Sequence, residues 1–146
     1  MVTQGESLIT GKASSTLPTP PPPFYEPSYE SIPAAGINTV YVIESRSTLA
    51  CYVGSTCNAL GRLALHNSRR GAVITAWVQD WRFKACVLGF PNGREGLAEA
   101  RSFETKLLHF PSQPHLPFFE WLRAIHFLLD KENVNRPLSP LWAQLF

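Results

Sequence analysis

Arg62, His66 and Arg69 stand at i, i+4 and i+7, the spacing that puts three side chains on one face of a helix. Two tyrosines lie upstream, Tyr41 and Tyr52, and two glutamates downstream, Glu99 and Glu104. These are the residue types that phosphodiester hydrolysis requires. An arginine neutralises charge growing on the phosphate oxygens. A carboxylate holds a metal that stabilises the leaving oxygen, and a base takes the proton of the attacking water. Spacing alone leaves the matter open, because an arginine and a glutamate on neighbouring helices more often form a surface salt bridge. The tyrosines serve equally well as strand aromatics in a core, and His66 as a surface histidine. His109, His115 and His126 have no partners at ligand spacing.

The elements that must position these residues can be read from residue 38 on. NTVYVIES and LACYVGST are rich in β-branched and aromatic residues and are separated by a short polar stretch around Arg46 to Thr48, which predicts an antiparallel hairpin. Asn58 is placed to cap a helix, NALGRLALHNSR, with Leu60, Leu63 and Ala64 as its apolar stripe and Arg62, His66 and Arg69 opposite. Tyr41 and Tyr52 would then point across the sheet toward that helix. RFKACVLGF predicts a third strand ending at Pro91-Asn92-Gly93, followed by a helix from about Glu95 to His109. Either glutamate would meet Arg62 if the two helices pack on one face of the sheet. After prolines 111, 114 and 117, FFEWLRAIHFLLDKEN has Phe118, Trp121, Leu122, Ile125, Leu128 and Leu129 at helical spacing. The expected class is α/β (α+β): a small three-stranded antiparallel sheet flanked by helices, with an extra C-terminal helical segment packed on it.

Composition sets the outer limits. The 146 residues are 45% hydrophobic and 16% charged, enough for one domain and short for two. Six of the 13 prolines fall between Pro18 and Pro27. Residues 1–36 therefore read as a disordered Pro-rich tail with polyproline II character, chiefly a tether, and a docking segment for a protein partner as the other use. Residues 37–110 read as the core and 111–146 as the C-terminal extension. The net charge of +2 permits nucleic-acid binding without announcing it. The local cluster is more pointed, and Arg69, Arg70, Arg82 and Lys84 are its candidates for backbone contacts. Cys51, Cys57 and Cys86 form no CxxC pair and no zinc spacing. With no signal-peptide pattern and no apolar run long enough to span a membrane, the expected location is intracellular, the nucleus included.

At these residues a family likeness appears. Val40-Tyr41 and, eleven residues on, Tyr52-Val53-Gly54 resemble the two halves of the GIY-YIG nuclease signature. YVGSTCNALGRLALHN resembles the matching stretch of the Slx-type structure-specific endonucleases, with Thr56, Asn58, Arg62, His66 and Asn67 in order and no gap. The likeness continues through Gly89-Phe90-Pro91, Phe103-Glu104, and Arg136-Pro137-Leu138 with Trp142. It implies a metal-dependent endonuclease acting on DNA at branched or flapped structures, the intermediates of repair and recombination, leaving 5′-phosphate and 3′-hydroxyl ends. Carried over by position, Arg62 contacts the scissile phosphate and Glu104 is the single protein ligand to Mg²⁺ or Mn²⁺. Tyr41 is the general base or water-positioning group, Tyr52 lines the site, and His66 supports phosphate or water. A free tyrosine titrates near 10, so Tyr41 acts as base only where the metal or Arg62 favours its phenolate.

The departures from the pattern are specific. Thr39 replaces a signature glycine, Gly61 replaces an often basic residue, and the basic loop is reduced to Ser68-Arg69-Arg70. Glu99 stays a rival for the metal position, although Phe103 before Glu104 favours the latter. With no zinc ligand set among these residues, the RING-like zinc domain of those relatives, which binds their scaffold partner, is not expected here. Two rival readings remain: a degenerate member of the fold that binds nucleic acid without cutting, and a protein-interaction module working through the proline-rich tail.

Overall fold

A computed structural model describes residues 31–110 and 116–146. The tetraproline run Pro20–Pro23, with prolines 111 and 114, lies outside the described residues. In chain order the elements are β1 (Thr39–Ser45), β2 (Cys51–Thr56), α1 (Ala59–Asn67), a 3₁₀ turn (Val73–Thr75), β3 (Trp81–Leu88), α2 (Gly93–Leu108), α3 (Phe118–Asn133) and β4 (Trp142–Leu145). The hairpin forms as its composition predicts, with Tyr41 opposite Gly54 and Ile43 opposite Tyr52. β3 pairs with the other side of β1, and a register shift at Val42/Ile43 marks a bulge.

The sheet has four strands, not three, in the order β2-β1-β3-β4 and antiparallel throughout. The extra strand is the C-terminal Trp142–Leu145, which pairs with Ala85–Leu88. Four residues behind a proline-rich turn carry too little alternation to read as a strand. They become one because β3 would otherwise present a row of unpaired amides and carbonyls at the sheet edge. Ser31 and Gly36, at the start of the described chain, are also tied down. Gln144 Nε2 donates to the Ser31 carbonyl at 2.6 Å, and Gly36 N to the Cys57 carbonyl at 2.7 Å.

Strand alternation sorts the core into two layers. Val40, Val42, Val53, Ala85 and Val87 pack under α2 and α3, against Ala100, Phe103, Leu107, Trp121, Ile125 and Leu128. Those helical residues recur every three or four positions, so each helix buries one continuous stripe. The opposite face carries Tyr41, Ile43, Phe83 and Cys86, and is covered by Ala59 and Leu63 of α1 with Trp81. Thus α1 and α2 lie on opposite faces of the sheet, so the shared face on which either glutamate would meet Arg62 does not form.

Helix α1 is also rotated from its predicted setting. Asn58 caps it, its Oδ1 accepting from Gly61 N at 3.1 Å. The inward residues are Ala59, Leu63 and His66, whereas Leu60 and Ala64 are exposed. Both stripes have helical spacing. The one containing His66 wins because its imidazole finds hydrogen-bond partners inside, described below. The helix stops at Asn67, so Arg69 is not on it. Arg69 occupies the left-handed region at φ 64° and is exposed.

Candidate active site

The site forms where the edge strand β2 runs between the two helical layers. Tyr41 on β1 and Tyr52 on β2 share the α1 face, with ring centroids 6.4 Å apart. Their rings lie 5.9 and 5.0 Å from that of His66. Gly54, directly across the ladder from Tyr41, leaves the space that the phenol fills. A Cβ there would stand 2.5 Å from Tyr41 Oη and 2.6 Å from Cζ. Arg62 projects from the same inward side of α1, and its guanidinium acts on both phenols. Glu104 comes from the other layer. Because Ser55 is one residue past Gly54, it faces α2, and its hydroxyl donates to Glu104 Oε1 at 2.6 Å. The carboxylate therefore meets the tyrosines over the sheet edge rather than across a shared face.

His66 is fully buried, and both ring nitrogens are engaged. Nε2 lies 2.9 Å from Tyr41 Oη and Nδ1 2.8 Å from Thr75 Oγ1. Neither nitrogen is left for phosphate or water, the role that the resemblance implies. Its place is behind Tyr41, where it holds the phenol.

Burial governs the electrostatics of this cluster. It pushes the Tyr41 phenol up to about 12, against the pull of the Arg62 guanidinium, which favours the phenolate. Tyr52 is raised by burial and by the charge of Glu104, again opposed by Arg62. Burial and the Arg62 charge together lower His66 to about 4. At neutral pH the centre therefore holds two neutral phenols and a neutral imidazole, flanked by one guanidinium and one carboxylate.

The remaining candidates fall elsewhere. Glu99 pairs with Arg136 near the end of α3, away from the tyrosines. Arg82 and Lys84 lie on the α2/α3 face of the sheet. Arg82 Nη2 is 2.9 Å from Glu44 Oε1, and Lys84 sits 4.0 Å from the same oxygen with its ammonium 5.0 Å from the Phe118 ring centroid. Arg69 and Arg70 are exposed in the turn after α1, on the side of the tyrosines. Arg62 is in none of the ion pairs among the described residues. Trp81 is buried, donating Nε1–H to the Thr75 carbonyl at 3.0 Å, and Trp77 packs edge-on against it.

Three contributors escape a reading of the chain. Ser55 could have been found from strand alternation, which sets it opposite the tyrosine face. Gly71 and Thr75 carry no periodic signal, because they belong to a loop that folds back over His66.

A small antiparallel sheet with helices on both faces gathers an arginine, a carboxylate and paired tyrosines at its open edge, the residue types a nuclease-type catalytic domain uses. The family model of the GIY-YIG catalytic domain matches residues 37–109, half of the chain. The chain belongs to the GIY-YIG family, whose fold is a nuclease fold, whose activity is hydrolytic and whose members generally depend on a divalent metal. DNA is the substrate that such a domain implies. No curated protein matches the chain. No described helix is long and apolar enough to cross a membrane.

Proposed function

We propose that this protein is a structure-selective endonuclease that hydrolyses DNA phosphodiester bonds at branched or flapped sites, as its likeness to the Slx-type enzymes implies. The observation that carries the reading is the convergence of Tyr41, Tyr52, Arg62 and Glu104 on the edge strand β2, around a glycine whose added Cβ would meet the Tyr41 phenol.

Glu104 is the metal ligand in this reading. Its Oε1 takes one hydrogen bond from Ser55, which orients the carboxylate and leaves acceptor positions for a cation. Among the described residues no cluster of three or more His, Cys, Asp or Glu side chains surrounds it. A single carboxylate suits a hard ion such as Mg²⁺ or Mn²⁺ completed by water and phosphate oxygens, and does not suit zinc. When bound, the ion supplies Lewis-acid stabilisation of the phosphate and the leaving oxygen.

Arg62, with five donors and no carboxylate partner, takes the charge that grows on the scissile phosphate. Tyr41 handles the proton. Its phenol is protonated at neutral pH, so it accepts the proton of the attacking water as its own hydrogen passes to His66 Nε2, 2.9 Å away. Atoms and charge balance: the hydroxide oxygen bonds to phosphorus, the bond to the ester oxygen breaks and that oxygen leaves as an alkoxide that takes its proton from solvent, and His66 becomes imidazolium. Burial and the Arg62 charge disfavour this imidazolium in the free protein, and the negative phosphate offsets the second of these. Tyr52 closes the wall beside His66, and Arg69 and Arg70 reach the DNA backbone.

The test is cleavage of labelled flap, fork and four-way-junction DNA in Mg²⁺ or Mn²⁺ by wild type, Arg62→Ala and Glu104→Gln. Nicking near the branch that both substitutions abolish, with binding retained, is the expected result. Tight binding to branched DNA without any cleavage overturns the catalytic reading.

A further inference from the structure

The Tyr41–His66 pair does not end at His66. Its Nδ1 contacts Thr75 Oγ1 at 2.8 Å, and that hydroxyl also donates to the Ala72 carbonyl at 2.8 Å. Thr75 is fully buried at the end of the 3₁₀ turn. We propose that Thr75 is a positioning residue of this site, which fixes the tautomer of His66 and so the direction in which the Tyr41 phenol donates. This rests on the proposed roles of Tyr41 and His66.

The number of hydrogens available along this chain of contacts fixes the tautomer. Three short contacts run in series: Tyr41 Oη to His66 Nε2, His66 Nδ1 to Thr75 Oγ1, and Thr75 Oγ1 to the Ala72 carbonyl. A carbonyl oxygen only accepts, so the last contact consumes the single hydroxyl hydrogen of Thr75. Thr75 Oγ1 must then accept from Nδ1, which carries the ring hydrogen. Nε2 of a neutral imidazole is left with its lone pair, and the Tyr41 hydroxyl donates to it. The opposite tautomer would send the threonine hydrogen to Nδ1 and leave two oxygens facing each other at 2.8 Å with no hydrogen between them. A doubly protonated ring would also fill the contacts, but burial and the nearby Arg62 oppose that charge.

The loop is built to hold this arrangement. Gly71 lies against the ring so closely that a Cβ there would stand 2.4 Å from Nδ1. Arg70 N donates to the Leu65 carbonyl at 2.8 Å, and Asn67 exchanges two hydrogen bonds with the Trp81 backbone. The turn is therefore pinned at both ends around the imidazole. The consequence for chemistry is directional. With its hydrogen committed to His66, the Tyr41 oxygen shares its lone pairs between the Arg62 guanidinium and the site, and a group receiving a proton from water must keep one free. If Nε2 carried the hydrogen instead, the phenol would accept from His66 and its own hydrogen would point outward.

The experiment is ¹⁵N–¹H NMR of the full chain labelled at its four histidines, with the His66 signals assigned by their loss in His66→Gln. The expected spectrum has a protonated Nδ1 and a bare Nε2. Thr75→Val keeps the shape and removes the hydroxyl, so it should mix the tautomers. The same variant should lower kcat by about 100-fold, the lower end of what a positioned proton acceptor contributes, with KM little changed. Thr75→Ser should restore the spectrum and most of the rate. A wild-type His66 carrying its hydrogen on Nε2, or a Thr75→Val protein that keeps both spectrum and rate, overturns the inference. If Thr75→Val does not fold, the wild-type and Thr75→Ser spectra still decide. The expected tautomer in a protein that cuts no DNA would instead sink the proposed function and leave the hydrogen-bond assignment standing.

Discussion

Gly54→Ala is the substitution that separates packing from chemistry at this site most sharply. The added Cβ would lie 2.5 Å from Tyr41 Oη and 2.6 Å from Cζ, whereas ordinary contact between such atoms is about 3.5 Å. Relief requires the phenol, the strand or both to move by about 1 Å. Tyr41 is buried, with Phe83, Tyr52 and His66 against its ring, so it has no free direction in which to swing. A shift of that size away from Gly54 breaks the 2.9 Å contact with His66. Overpacking of this kind costs about 1–3 kcal/mol of stability, and a 1 Å misplacement of a reacting group costs about 100-fold in rate. Single-turnover cleavage of flap DNA reads the second figure and urea denaturation the first. The control is the Tyr41→Ala background. There the clash is gone, and alanine in a strand should be neutral or stabilising by about 0.5–1 kcal/mol, because glycine loses more conformational freedom on folding. If Gly54→Ala destabilises equally in both backgrounds, or leaves rate and stability untouched in the wild type, the claim that Gly54 exists to seat Tyr41 is wrong.

Three further outcomes are expected. The unfolded chain protonates His66 near 6.5 but the folded protein only near 4, so stability is full above pH 6.5, falls as pH drops toward 4, and flattens below. The loss attributable to His66 at pH 5 is about 2 kcal/mol, and comparing urea midpoints of wild type and His66→Gln across that window should show the slope largely removed. For DNA binding, Arg69→Ala and Arg70→Ala should each reduce the slope of log affinity against log salt by about 0.9. Arg82→Ala should leave that slope unchanged and instead lose about 1–3 kcal/mol of stability, since Glu44 is nearly buried and loses its closest partner; an equal salt effect at Arg82 would refute the separation of the two faces. Glu99→Gln should keep full cleavage, with its weakened contact to the largely buried Arg136 costing about 1–3 kcal/mol of stability, so a Glu99→Gln protein that loses cleavage like Glu104→Gln would reverse their assignment.

Local chemistry and periodicity were sufficient for the hairpin, the third strand and the three α-helices. β-Branched runs around Tyr41 and Tyr52, the Asn58 cap, the break at Pro91 and the apolar spacing from Phe118 onward each form what their residues favour. The same residues in the same order carry the family likeness. What they could not fix was which side of an element faces in and which elements meet. Helix α1 has nine residues and two competing apolar stripes. The choice between them falls to Tyr41 and Thr75, one 25 residues before His66 and the other in a loop without pattern. Glu104 reaches the tyrosines because Ser55 faces the opposite layer, and Arg82 and Lys84 are drawn to Glu44 by the parity of their strand. The sequence by itself determined three of the four strands, the helices and the residue types available for chemistry, since these depend on neighbours a few positions away. Only the tertiary structure decided that α1 and α2 flank the sheet on opposite sides, that His66 points inward and that a fourth strand closes the edge, because each depends on partners brought together by burial and hydrogen bonding across distant parts of the chain.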